Sequence, residues 1–279
     1  MLNSLFRPSL RANARLLAAA LHVGAALSAA DACAQSQDSA PLQTDRPDFV
    51  ESSNVVGPGR VQVETSVAFE RTRREGVTET VGATPTLIRI GTAQDWEVRL
   101  ETDGYTKQQV QVDASGERSR NHGYADLSIG AKWHLRDGDG IAPSLALLAH
   151  ADLDSGSAPL RGNGIRPSVR MVAEWELPAG WSVGLMPGFA YEKTDDGRRF
   201  YQGIWGMVAG KAWTDRLRTF AEFAAPAIAR SRYGATFSTY NVGAAYLLSD
   251  DCQVDISMQQ GATRNTPDRA WSLGLSTRF

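Results

Sequence analysis

Val61-Gln62-Val63-Glu64-Thr65-Ser66-Val67-Ala68-Phe69-Glu70 alternates residue by residue along its whole length. A side-chain period of two puts Val61, Val63, Thr65, Val67 and Phe69 on one face of an extended strand. Gln62, Glu64, Ser66, Ala68 and Glu70 fall on the other. The pattern returns where Trp96, Val98 and Leu100 interleave with Glu97, Arg99 and Glu101, and where Leu127 to Leu135 interleave with Asp126, Ser128, Gly130, Lys132 and His134. It returns again in Ile165 to Leu177 and in Trp271 to Phe279. About a dozen segments read this way, near 60–72, 80–91, 94–112, 121–136, 141–154, 164–178, 181–194, 199–213, 216–229, 234–249, 251–262 and 268–279.

Most of these segments exceed the ~9–11 residues that cross a bilayer as a tilted strand. They are long beside the ~5–6 residues of an ordinary strand. The links between them alternate in length. Asp137-Gly138-Asp139-Gly140, Pro178-Ala179-Gly180, Thr214-Asp215 and Ser249-Asp250-Asp251 are tight turns, whereas 71–79, 113–121, 154–163, 193–199 and 261–268 are longer and polar. Short turns at one end, long loops at the other and an even strand count mark an outer-membrane barrel. Lipid cannot satisfy backbone polar groups, so such a sheet must close on itself. A soluble β-sandwich would also alternate. Strand length, an export signal and the terminal Phe279, which resembles the signal read by the barrel-assembly machinery, decide for the barrel. The expected fold is all-β: a transmembrane antiparallel up-and-down barrel of about twelve strands.

The chain has 279 residues, with 29 basic against 31 acidic side chains and a net charge of −2. That balance gives no field for nucleic acid. Mean hydropathy is −0.29, and no apolar run after residue 30 approaches the ~20 residues of a membrane helix. Arg7, Arg11 and Arg15 precede an uncharged Ala/Leu stretch, Leu16 to Ala30, that ends in Ala32-Cys33-Ala34. This is the layout of a cleaved secretory signal. Lipid attachment at Cys33 is disfavoured by Asp31. The domain reading is 1–34 signal peptide, 35–59 periplasmic or lumenal N-terminal segment and 60–279 barrel, exported to the outer membrane of a Gram-negative bacterium. Cleavage leaves one cysteine, Cys252, hence no internal disulfide and no cysteine-type metal site. No metal or cofactor is expected.

Thr44-Asp45-Arg46-Pro47-Asp48-Phe49-Val50-Glu51-Ser52, followed by Gly57-Pro58-Gly59-Arg60-Val61-Gln62-Val63-Glu64-Thr65, resembles the opening of the outer-membrane transporters grouped as "MetA-pathway of phenol degradation". Pro85 to Gly91 with Trp96-Glu97-Val98-Arg99, Tyr124 to Lys132, Val242 to Leu248, Gln253 to Ile256 and Leu273 to Phe279 continue the resemblance in order. Met258-Gln259-Gln260-Gly261 departs from it, where a Gly-rich strand end is expected. The resemblance spans about 43–279 and implies a barrel that passes hydrophobic or aromatic compounds.

Parity places Glu64, Arg89, Glu97, Arg99, Asp126, Lys132, Arg170, Glu174, Glu222, Asp255 and Arg278 in the lumen. Such charges form either a selecting constriction or ion pairs bridging strands across a filled lumen, and their even mixture of sign favours the second. The segment 35–59 lacks the period of two and holds Asp45, Arg46, Pro47, Asp48 and Glu51. It is either a plug whose Arg46 pairs with lumenal carboxylates or a periplasmic lead-in, with contact to the interior or its mouth favoured. The exposed-face tryptophans read as an interfacial girdle.

Barrel lipases need a His beside a nucleophilic Ser. His134, sharing a face with Ser128 and Lys132, and His150, near Asp152, Ser155 and Ser157, read as lumen or rim residues instead. Neither Gly-x-Ser-x-Gly nor His-Glu-x-x-His occurs. The functional expectation is therefore a non-enzymatic, monomeric channel for passive uptake or export of small, hydrophobic or aromatic solutes. Its partners would be outer-membrane lipid and the assembly machinery. The alternative is a closed structural or adhesive barrel acting through its outer loops.

Overall fold

The computed structural model describes residues 40–194, 196–233 and 235–279. The expected signal peptide and Cys33 lie outside them. Cys252 is fully buried.

The strands run alternately away from and toward the end that carries Phe279. β1 (Val61–Arg74) leads out, and β2 (Val77–Ala83) with β3 (Thr86–Ala93) returns. β4 (Trp96–Thr102) with β5 (Tyr105–Val112) goes out, β6 (Arg118–Tyr124) with β7 (Leu127–Arg136) returns, then β8 (Ser144–Asp152) and β9 (Arg166–Leu177) follow. β10 (Trp181–Leu185) with β11 (Gly188–Lys193) goes out before β12 (Arg199–Ala212). β13 (Leu217–Ile228), β14 (Thr236–Ser249), β15 (Cys252–Gly261) and β16 (Arg269–Arg278) complete the circuit. Every neighbouring pair is antiparallel, and β16 pairs with β1 from Gln62↔Arg278 to Arg71↔Arg269, which closes the barrel. Sixteen segments thus make twelve spans. Closure satisfies the backbone within the sheet, the condition for crossing lipid.

Four expected strands are each two. The segments 80–91, 94–112, 121–136 and 181–194 break at Thr84-Pro85, Asp103-Gly104, Ala125-Asp126 and Met186-Pro187. Pro85 and Pro187 have no N–H to give a ladder. Gly104 has φ +65°, and a Cβ there would lie 2.2 Å from the Thr84 carbonyl oxygen. The first three breaks sit side by side and are stitched together. Thr84 N–H donates to the Asp103 carbonyl at 3.1 Å, Tyr105 N–H to Thr84 Oγ1 at 2.9 Å and Ala125 N–H to the Gly104 carbonyl at 2.9 Å. Beyond them β2, β5 and β6 continue β1 as an outer panel. Among the described residues β5 is the only strand beside β6, and the 153–165 loop caps its inner end through Ser157 N–H to the Tyr124 carbonyl at 2.8 Å.

Aromatic residues ring both ends of the outward face. Trp96 stacks on Trp133 at 5.1 Å near the end that carries Phe279, and Phe69 on Trp271 at 4.6 Å near the other. Amphipathic rings at two levels suit the two interfaces of a bilayer.

Gly104→Val combines a disfavoured φ with a clash against backbone, each costing about 1–3 kcal/mol. It should lower the urea midpoint of the refolded barrel clearly, whereas Gly116→Val, which shares the disfavoured φ (+69°) but has open space around it, should cost only the first of the two.

Candidate functional site

The lumen is occupied by the chain's own segment 40–60. This stretch has no sheet partner, so its backbone needs other acceptors and donors, and the inner wall supplies them as side chains. Glu64 accepts the N–H groups of Asp45 (3.0 Å) and Arg46 (3.1 Å), and Glu222 accepts those of Phe49 (3.0 Å) and Val50 (2.7 Å). Glu174 accepts Ser53 N–H at 2.5 Å and Glu97 accepts Val56 N–H at 2.8 Å. In return Arg89 donates to the carbonyls of Gln43 (3.0 Å) and Asn54 (2.7 Å), Lys132 to Ser52 (2.8 Å) and Gln62 to Gln43 (2.9 Å).

Side-chain charges tighten the same contact. Asp45 takes Arg99 at 2.6 Å, Lys132 at 2.8 Å and Arg89 at 3.4 Å. Glu51 takes Arg99 at 2.7 Å and Arg170 at 2.9 Å. Arg89 and Arg99 face each other directly across β3 and β4, a like-charge pair that Glu97 and Asp45 reconcile. Burial alone would raise the Asp45 carboxyl, but Arg89, Lys132 and Arg99 outweigh it and hold the group well below the ordinary carboxylate range. On the far side Asp48 meets Arg218 at 2.6 Å and Arg46 meets Asp255 at 3.3 Å.

The opposite inner wall is apolar. Ala146, Leu148, Val172, Met186, Val208 and Phe220 pack with Val50, and Phe49 lies against them. Gly206 is the floor of that seat: a Cβ there would meet Val50 Cγ2 at 2.6 Å and Phe49 Cδ1 at 3.1 Å. On the outer side of the segment lies a cavity of about 210 Å³, lined by Phe49, Pro85 and Leu87, by Arg46 and Arg170, and by a larger number of carboxylates that include Glu101 and Asp103.

Of the residues assigned to the lumen by parity, Glu64, Arg89, Glu97, Arg99, Lys132, Arg170, Glu174, Glu222 and Asp255 all contact segment 40–60. Arg278 sits at the mouth, bonded to Asp251 at 2.6 Å and to the Ala40 carbonyl at 2.8 Å. Asp126 does not join them. It lies in the break between β6 and β7 and ties down the 153–165 loop through Gly156 N–H (2.8 Å), Gly162 N–H (2.9 Å) and Arg166 (2.9 Å). Parity missed the apolar seat, because the parts of β8 and β12 that build it are apolar on both faces and alternation carries no information there. His134 Nδ1 contacts the Ser53 carbonyl at 2.9 Å and His150 Nε2 faces Arg99 Nε at 3.2 Å. Neither meets a serine hydroxyl among the described residues.

The family model described as "Putative MetA-pathway of phenol degradation" matches residues 44–279. The chain belongs to this family. The match begins at Thr44, so it takes in most of the lumenal segment as well as the barrel of this phenol-degradation family member. Among solved structures it is similar to the COG4313 outer membrane channel from Pseudomonas putida F1, at 12% identity and TM-score 0.61, covering 84% of this chain and 99% of that one. The NanC porin (9% identity, TM-score 0.48, 78% and 98% covered) and the KdgM porin (11%, 0.48, 78% and 99%) also match. No curated protein matches in sequence.

Two substitutions test the seating. Asp45→Asn removes the shared partner of buried Arg99 and Lys132, and breaking such a pair costs about 3–5 kcal/mol. Because the native pKa is depressed, that stabilisation is full above the ordinary carboxylate pKa and fades as pH falls. The thermal midpoint of Asp45→Asn should therefore lie well below the parent at pH 7, with the gap narrowing on acidification. Gly206→Leu should unseat Phe49 and Val50: a cysteine at Ser53, unreactive to a polar maleimide in the parent barrel, should label readily beside Leu.

Proposed function

We propose that this protein is an outer-membrane channel for passive movement of small solutes, that aromatic or hydrophobic compounds are its substrate class, and that segment 40–60 sets its resting closure. The observation that carries this reading is the cavity of about 210 Å³ above the segment. A cavity of ~150 Å³ holds benzene, so this one has room for a single ring with polar substituents. Phe49, Pro85 and Leu87 offer apolar contact, and the rest of the lining is charged, with carboxylates such as Glu101 and Asp103 outnumbering Arg46 and Arg170, so an aromatic ring carrying hydroxyl or amine donors fits it best. The family description supports the aromatic class.

A channel rather than an enzyme fits the engagement of His134 and His150 with groups other than a nucleophile. Adhesion through the loops is less well supported, since the loop at 153–165 is held against Asp126. The protein acts as a monomer, exported through a cleaved signal.

The test is single-channel recording with phenol or benzyl alcohol added to one side. Millimolar aromatic should reduce open current in a concentration-dependent way, glucose should not, and Leu87→Trp, which fills the cavity, should abolish the aromatic effect. Equal block by glucose, or block unchanged in Leu87→Trp, would remove the cavity from the transport path.

A further inference from the structure

The outward face of the outer panel carries a charge pattern that transport does not use. Register fixes which side chains point toward the membrane. Phe69 opposite Trp271 faces out, and one pair farther along the same strands Arg71 stands opposite Arg269. Arg71 pairs with Thr80, Thr80 with Gln109 and Gln109 with Arg120, so all lie on that face. Lys107 opposite His122, and Gln111 opposite Arg118, extend it. Every residue from Arg118 to His122 is exposed.

No carboxylate within the strands shares this face, and Asp113 reaches only its outer edge. Glu70 and Glu79 of the same strands have the opposite parity and point inward, and Asp113, Glu117 and Asp268 lie in the links beyond the strands. Arg73 pairs with Asp113 at 2.9 Å. Among the described residues, Arg71, Lys107, Arg118, Arg120 and Arg269 make no ion pair within 4.0 Å.

Like charges directly opposite on neighbouring strands repel. Inside the barrel the Arg89–Arg99 pair is reconciled by Asp45 and Glu97, whereas outside, Arg71 and Arg269 make no ion pair within 4.0 Å and Arg269 feels only Asp268 of the adjoining link, which is itself bound to Arg74. The level is set by the ring of aromatics just below it, Phe69, Trp271, Tyr105 and Tyr124, which are outward-facing at this end. On the strands that follow Arg269 round the barrel, the outward positions at this end are Gln260, Tyr240 and Ile228, and the next outward basic pair, Lys193 opposite Arg199, stands at the ends of β11 and β12.

We infer that this face binds the phosphate groups of a phosphorylated glycolipid of the outer leaflet, with Arg71, Arg269 and Arg120 as the principal ligands and Lys107 and Arg118 at its margin. Guanidinium forks match phosphate oxygens in pairs, and basic side chains at the headgroup level gain from anionic lipid. A phosphate between Arg71 and Arg269 plays outside the part that Asp45 plays inside. The aromatic ring below holds the acyl chains in place.

The test uses the refolded mature chain in a neutral detergent and purified deep-rough lipopolysaccharide, read by native mass spectrometry and by thermal midpoint. The parent should retain the glycolipid and gain thermal stability from it. An Arg71→Gln, Arg120→Gln, Arg269→Gln triple variant should lose at least tenfold in affinity while keeping parental conductance. A separate Lys107→Gln, Arg118→Gln pair, which leaves the central ligands in place, should lose only a few-fold and guards against a folding defect in the triple. Dephosphorylated glycolipid should not bind, and millimolar inorganic phosphate should not displace the phosphorylated form. Equal binding by the triple variant or equal binding of the dephosphorylated glycolipid would overturn the inference. So would equal stabilisation by phosphatidylglycerol, or displacement by inorganic phosphate.

Discussion

The carboxylate of Asp45, held between Arg99 and Lys132 with Arg89 close by, is the contact on which the interior of this barrel depends. Four cations of one wall, Arg89, Arg99, Lys132 and Arg170, converge on this cluster, where the wall's own paired carboxylates are Glu64 and Glu97. Asp45 and Glu51 supply the two that are missing. Buried charge left unpaired is costly, so the wall and the segment are stable in this arrangement only together. The remaining contacts follow the same logic in neutral form: wall glutamates accept the segment's N–H groups and wall arginine and lysine donate to its carbonyls. Segment 40–60 is therefore held almost wholly by side chains rather than by a ladder.

That mode of attachment matters for function. A sheet ladder would make the segment part of the wall. Discrete ion pairs and hydrogen bonds can be exchanged for solute or water one cluster at a time, while the apolar seat at Val50 and Phe49 resists the displacement. Such a closure suits a conduit that is narrow at rest, with the solute cavity on the outer side of the segment. The basic outward face of β1, β5, β6 and β16 has a separate role, fixing the barrel among the lipids of its own leaflet.

Much of this was legible in the sequence, and for a definable reason. Where one face of a strand meets lipid and the other meets charge, as at Val61 to Glu70 or Trp96 to Glu101, the period of two reads out the inner residues directly. Alternation failed in two circumstances. At Asp103-Gly104 and Ala125-Asp126 the strand breaks, and Asp126, which parity assigned to the lumen, instead braces a loop. Along β12, Ile204 and Val208 face inward opposite an apolar exterior, so nothing in the pattern distinguished the faces. The partners of the segment's backbone were illegible because they are contacts between residues as distant as Val50 and Glu222, and sequence periodicity carries no information about them.

The most direct test of the account is the single-channel conductance of a chain of residues 35–279 beside the same chain lacking residues 35–58. The account predicts that the parent conducts in small steps and the shortened barrel in distinctly larger ones, with a lower thermal midpoint, because the wall cations lose Asp45 and Glu51. Identical conductance and identical melting from two folded, inserted proteins would show that the segment neither fills the lumen nor stabilises it, and would contradict the account at its centre.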